Sequence, residues 1–213
     1  MKIGIIGASG KAGGLILKEA QDRGHDVTAI VRNAEKITDP EVSVLEKNIF
    51  DLTADEFKPF DVVVNAFNAA PGEEHHHVEA GRVLIEAAKG APDTKLFVVG
   101  GAGSLFVDEE KTTRLFDTPD FPDAYLPTAK NAGRNLEDLE STTSIQWTYL
   151  SPAAFFDPDG KRTGTYQTGK DQVIQNANGD SYVSYPDFAI AVLDEIENPV
   201  HPNERFTVVS NPE

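Results

Sequence analysis

The sequence predicts an α/β fold: a doubly wound, mostly parallel sheet with helices on both faces. Three observations predict it. Short apolar runs rich in β-branched residues recur along the chain, helix-spaced apolar stripes separate them, and the first run breaks into a turn with glycines at positions 7, 10 and 13. Continuous apolar strands are buried on both faces, and the helices between them leave neighbouring strands parallel.

The first strand, Lys2-Ile3-Gly4-Ile5-Ile6, ends in Gly7-Ala8-Ser9-Gly10-Lys11-Ala12-Gly13. Gly7 is expected to make a turn that a Cβ would resist, Gly10 to let the main chain lie against a pyrophosphate, and Gly13 to let the next helix approach the strand closely. That helix carries Gly13, Ile16, Leu17 and Ala20 on one face, and its free N–H groups and positive dipole end favour an anion at the turn. With this strand and helix around it, the G-x-x-G-x-x-G spacing reads as a variant dinucleotide site of the Rossmann type, held by Gly7, Ser9, Gly10, Lys11, Ala12 and Gly13. The second strand, Asp26–Val31, runs straight into Arg32 and Asn33. A site for NAD(H) places a carboxylate near this tip to accept from the ribose 2′-OH. Here the tip carries Arg32, whose guanidinium can fork onto a phosphate, with Lys36 or Lys11 adding charge. NADP(H) is therefore expected to be preferred over NAD(H).

Further strands are expected at 41–46, 61–65, 95–99 and 145–150. Between them lie a helix striped by Val78, Gly81, Ile85 and Ala88 and another over 128–140 with Ala129, Ala132, Leu136 and Leu139 inward. Past Ser151 the texture turns to Pro, Gly, Asp and Thr, so 151–185 is expected to form a small substrate-side lobe within a single domain spanning 1–213. Ser184-Tyr185-Pro186-Asp187 then opens a helix, with Ser184 as N-cap and Asp187 closing a capping box. Phe188, Ala191, Val192 and Ile196 form its buried stripe, and 205–209 returns as a last strand.

Nineteen Lys and Arg against 35 Asp and Glu leave a net charge of −16. Such a field disfavours nucleic acid and anionic membrane surfaces and makes a basic spot such as Arg32 more telling. The first strand begins at once and no apolar run is long enough to span a bilayer, so neither signal peptide nor membrane span is expected and the expected location is cytoplasmic. The chain has no cysteine, which excludes disulfides, thiolate catalysis and Cys-based metal sites. A homodimer or monomer is expected.

Several segments together resemble a known family: Gly7–Gly13, Val31-Arg32-Asn33, Val64-Asn65-Ala66-Phe67, His76-His77-Val78-Glu79-Ala80, Val98-Val99-Gly100-Gly101-Ala102-Gly103-Ser104, Trp147-Thr148-Tyr149-Leu150-Ser151-Pro152-Ala153 and Arg162-Thr163-Gly164-Thr165-Tyr166. They are similar to the bacterial NADH-flavin reductase family. It belongs to the atypical, NAD(P)-binding branch of the short-chain dehydrogenases, near the NmrA-like proteins and biliverdin reductase B/flavin reductase. The resemblance spans essentially the whole chain and implies an NAD(P)H-dependent oxidoreductase.

Ordinary short-chain dehydrogenases use Tyr-x-x-x-Lys on one helix face for proton transfer. Here Tyr125 and Lys130 are five apart, a net rotation of about 140° on a helix, and Pro127 is expected to keep Leu126 non-helical and Tyr125 in the preceding loop. Alcohol–ketone chemistry, and equally an isomerase using bound NAD, would lack its usual proton donor. Direct hydride transfer to a planar acceptor, a free flavin or a quinone, needs mainly alignment and exclusion of water. Flavin would then be a substrate rather than a bound cofactor. The alternative is an NmrA-like redox sensor that binds NAD(P) without turnover.

For this chemistry Gly100 and Gly101 are expected at the nicotinamide, with Ser104 either donating to the acceptor or serving the glycine-rich turn. By resemblance Ser151, Pro152 and Ala153 wall the nicotinamide, and Asp51 either faces adenine or caps the turn at Thr53. Asn65, Ala66 and Phe67 line the ribose and nicotinamide side. Phe155 and Phe156 form a ring platform or belong to the core. Adjacent helical residues point about 100° apart, so His75-His76-His77 is not expected to chelate one ion and no metal is expected. His76 and His77 remain candidates for the substrate pocket.

Overall fold

The computed structural model describes residues 1–212. Its strands are β1 (Lys2–Ile6), β2 (Asp26–Val31), β3 (Ser43–Glu46), β4 (Val62–Asn65), β5 (Lys95–Val99), β6 (Gln146–Ser151), β7 (Phe155–Asp157), β8 (Gln167–Gly169), β9 (Tyr182–Ser184) and β10 (Glu204–Val209). The α-helices are α1 (Lys11–Asp22), α2 (Ala54–Phe57), α3 (His76–Lys89), α4 (Leu126–Glu140) and α5 (Tyr185–Glu197). The main sheet runs β3-β2-β1-β4-β5-β6-β10-β8. Every neighbouring pair in it is parallel except β10 with β8. The chain leaves β1 for β2 on one side and later places β4 on the other, so the strand order reverses at β1 and a crevice opens above the carboxyl ends there.

Alternation along the buried strands divides the apolar side chains between two cores. Ile3 and Ile5 face the α1 and α5 side with Ile16, Leu17, Phe188 and Val192. Ile6 and Val63 face the α3 and α4 side with Leu84, Ile85, Leu136 and Leu139. The predicted doubly wound, mostly parallel architecture is the one found.

The differences from the sequence reading have local causes. β3 starts at Ser43, not Glu41, as a largely exposed edge strand. α4 starts at Leu126, two residues before Thr128, and Leu126 is helical at φ −60 and ψ −43. Pro127 sits in the first turn, where its missing N–H is not needed, and Tyr125 ends a 3-10 turn just before it. Within 151–185, β7 and β9 pair with each other in a separate two-stranded sheet, whereas β8 joins the main sheet as its antiparallel edge. Ser184 caps α5 by accepting from the Asp187 N–H at 3.2 Å. The Asp187 carboxylate does not complete a capping box: fully buried, it accepts from the Thr163 and Gly164 N–H groups, each at 2.9 Å, and from the Thr163 hydroxyl at 2.7 Å. Among the described residues no helix is long and apolar enough to cross a membrane.

Candidate functional site

The turn after β1 requires its glycines for steric reasons. Gly7 has φ +76, and a Cβ there would stand 2.5 Å from the Ala66 carbonyl oxygen. A Cβ on Gly13 would meet the Gly7 carbonyl oxygen at 2.3 Å, and one on Gly10 the same oxygen at 3.2 Å. No side chain caps α1 at Gly10, so its first-turn N–H groups have no side-chain acceptor at this end of the helix.

Three cavities run in series along the carboxyl edge of the sheet. The first is lined by Gly7, Ser9, Gly10, Val31, Arg32, Lys47, Ile49 and Ala66–Asn68. The second, of about 340 Å³, shares Gly10, Ala66, Phe67 and Asn68 with it and adds Lys11, Ala12, Gly13, His77, Val99, Gly100 and Tyr185. The third, of about 490 Å³, shares Gly101, Thr128, Ala132 and Phe156 with the second and continues over Leu115, Phe121, Tyr125, Pro152, Ala153 and Phe155. The glycine turn thus stands between a cavity with Arg32 at one end and a largely apolar cavity at the other.

At the first end Arg32 is exposed and, among the described residues, pairs with no carboxylate. Lys47 is bound to Glu56, whose other bonds to Thr53 complete the cap of α2. These contacts hold the Glu56 carboxyl down at about 2, the Lys47 hydrogen bond being the largest cause. A carboxylate does approach the tip of β2, but from the neighbouring strand: Glu46 accepts from the Ala34 N–H at 3.0 Å and does not line the cavity.

In the middle, Asn65 turns its side chain back to accept from the Phe67 N–H at 3.1 Å, which sets the loop after β4. His77 accepts the Ala69 N–H at Nε2, 3.3 Å away. Burial pushes the His77 pKa below its ordinary value, and an Nε2 that accepts the Ala69 N–H carries no proton itself. Tyr185 lies against Phe156 with ring centroids 3.9 Å apart. Lys11 reaches Asp159 at 2.6 Å. The buried Tyr149 hydroxyl accepts from the Gly101 N–H and donates to the Ala132 carbonyl, both at 3.2 Å, and a Cβ on Gly100 would run into its ring at 2.0 Å.

Not every expected residue comes to this edge. Ser104 is 3% exposed and its hydroxyl accepts from the Arg205 guanidinium at 3.1 Å, so the expected donor to an acceptor is engaged inside the fold and lines none of the three cavities. Ser151 is fully buried beneath the wall that Pro152 and Ala153 form. Asp51 ends a 3-10 turn capped by Asn48 and lies outside the first cavity, where Ile49 and Lys47 stand instead. His76 packs on Phe50 with centroids 5.1 Å apart rather than lining the middle cavity. The expected divergence of the histidines also fails for one pair. His75 precedes α3 as its cap, so its ring tilts over His76 at 4.3 Å, and ligand atoms of His75, His76 and Glu79 come within 4.8 Å of one another at the surface.

Residues that sequence reasoning missed are Lys47, Asn68, Thr128, Ala132 and Tyr185. Tyr185 was hidden by its place in a capping pattern. The wall from Leu115 to Tyr125 is irregular chain with no periodicity to find.

A family model described as NAD(P)H-binding matches residues 7–199. The uncharacterized protein YwnB of Bacillus subtilis (strain 168) is 71% identical over 213 residues, which is 100% of both chains. Among solved structures, SP1627 of Streptococcus pneumoniae TIGR4, described as "a putative NADH-flavin reductase", is 41% identical, with a TM-score of 0.94 over 99% of this chain and 100% of that one. A Bacteroides thetaiotaomicron protein described as a "putative epimerase" is 36% identical, with a TM-score of 0.88 over 100% of this chain and 99% of that one.

Proposed function

This chain belongs to the NAD(P)H-binding family, and from that premise we propose that it is an NADP(H)-preferring oxidoreductase that reduces a planar acceptor, free flavin or a quinone, by direct hydride transfer. The observation that carries the reading is the sharing of Gly101, Thr128, Ala132 and Phe156 between the middle cavity and the apolar third cavity. The two cavities are contiguous at these residues, so a nicotinamide in the one would lie face to face with a flat ring in the other. The description of the pneumococcal neighbour as an NADH-flavin reductase supports the same chemistry.

The bound nicotinamide supplies the hydride. The chain's own residues bind, orient and exclude water. The N–H groups after Gly10 hold the pyrophosphate, Arg32 takes the 2′-phosphate, and Phe67, His77 and Tyr185 enclose the nicotinamide end. Phe156 borders both cavities at their junction. Epimerisation would need proton-transfer groups placed together. Tyr125 lines the third cavity, but Lys130 lines none of the three, so the Tyr–Lys pair on which such chemistry would draw is not assembled here.

The test is NADPH oxidation by purified protein, followed by nicotinamide absorbance, with and without riboflavin, FMN or a simple quinone, and repeated with NADH. Turnover that depends on an acceptor and favours NADPH supports the proposal. Cofactor binding without turnover on any acceptor would assign the chain to the NmrA-like sensors instead.

A further inference from the structure

We propose, resting on that reading of the third cavity as the acceptor site, that it selects planar acceptors that carry no phosphate: a riboflavin-like or quinone-like ring is taken and a flavin phosphate is turned away. The argument is a contrast between the two ends of one crevice. The first cavity offers Arg32 to an anion, its Lys47 being paired with Glu56. The third is lined by no lysine or arginine, and its one charged lining residue is Asp120, which is exposed. Asp117 and Asp123, both exposed, flank it in sequence. The nearest cation among the lining residues of the adjoining cavity is Lys11, which is paired with Asp159.

What the third cavity offers instead suits an uncharged ring. Phe121, Phe155 and Phe156 supply apolar faces, and the side chains of Tyr125 and Thr128 supply neutral hydroxyls for ring carbonyls, the Thr118 hydroxyl donating to the Leu115 carbonyl at 2.7 Å. Its volume of about 490 Å³ lies within the usual range for small-molecule sites. The ribityl chain of a bound flavin would leave through the open side of the cavity, past the acidic lip. A phosphate dianion about 8 Å from one carboxylate in water is disfavoured about five-fold, and a net charge of −16 adds to this.

The experiment measures equilibrium binding by quenching of flavin fluorescence, with protein loaded with NADP⁺ so that no hydride can move. At low ionic strength riboflavin should bind at least about five-fold more tightly than FMN. The gap should close to within about two-fold in 1 M salt, where charges are screened, and Asp120→Asn should narrow it at low salt. FMN binding equal to or tighter than riboflavin overturns the proposal, as does a gap that salt leaves unchanged or the failure of both flavins to bind. Because the measurement involves no turnover, a protein that binds riboflavin selectively yet oxidises no NADPH would refute the hydride-transfer reading and leave the selectivity standing.

Discussion

The Lys11 ammonium stands 2.6 Å from the Asp159 carboxylate, joining the first turn of α1 to a loop 148 residues later. Both side chains are largely exposed, at 55% and 86%, so the pair contributes little to stability, within about 1 kcal/mol. It does hold Lys11 beside the turn where a pyrophosphate would sit. Lys11→Ala should leave the thermal midpoint nearly unchanged and weaken NADPH and NADH alike, by about ten-fold each. Calorimetric titration of both cofactors checks this, and a loss confined to NADPH would reassign Lys11 to the 2′-phosphate.

Arg32 should behave in the opposite way. Removing a charge-assisted fork to a phosphate costs about ten-fold or more in affinity, and a cofactor without that phosphate loses nothing. Arg32→Ala should therefore weaken NADPH by at least about ten-fold and NADH by less than about two-fold. Equal losses would remove the basis for an NADP(H) preference.

The glycines of the turn separate folding from binding. A Cβ on Gly13 meets the Gly7 carbonyl oxygen at 2.3 Å and the Ala8 Cα at 3.1 Å, both backbone atoms, so Gly13→Ala should destabilise the fold by about 2 kcal/mol or more. Gly10 is extended at φ −84 and ψ 168, and its added Cβ finds that oxygen at 3.2 Å. Gly10→Ala should keep the fold and lose cofactor affinity. Chemical denaturation and cofactor titration of the two variants distinguish the roles.

His77 gives the fold an acid-side dependence. Its folded pKa is lowered from 6.5 by burial, so the unfolded chain binds the proton more readily. The stability this contributes is fully present above about pH 6.5 and is lost as the pH falls through the lower folded value. Denaturation midpoints measured from about pH 5 to 8 should fall on the acid side for the native protein and flatten for His77→Gln. An NMR titration placing the His77 pKa at or above 6.5 would contradict this.

What could be read in advance was whatever short-range chemistry determines. The strand–turn–helix at Gly7–Gly13 is legible because each glycine answers to a contact within a few residues or across the adjacent strand. The parallel sheet is legible because Val62-Val63-Val64 and Leu96-Phe97-Val98 tolerate no solvent on either face. Ser104 misled because its partner, Arg205, lies 101 residues away. Asp187 misled for the same reason: a local pattern suggested a cap, while Thr163 and Gly164 took the carboxylate. The wall of the third cavity from Leu115 to Tyr125 carried no period and is held by scattered backbone bonds such as that from the Leu115 N–H to the Leu105 carbonyl.

Tyr149 finally bears on how freely the site can breathe. Its hydroxyl binds Gly101 and Ala132, two of the residues that belong to both the middle and the third cavities. The partition between the cavities is therefore tied to a side chain rooted in the central sheet, 1% exposed. On the proposed reading, the spacing between hydride donor and acceptor is preset by the scaffold before either ring arrives. The ordering entropy of that encounter is met during folding rather than at each turnover.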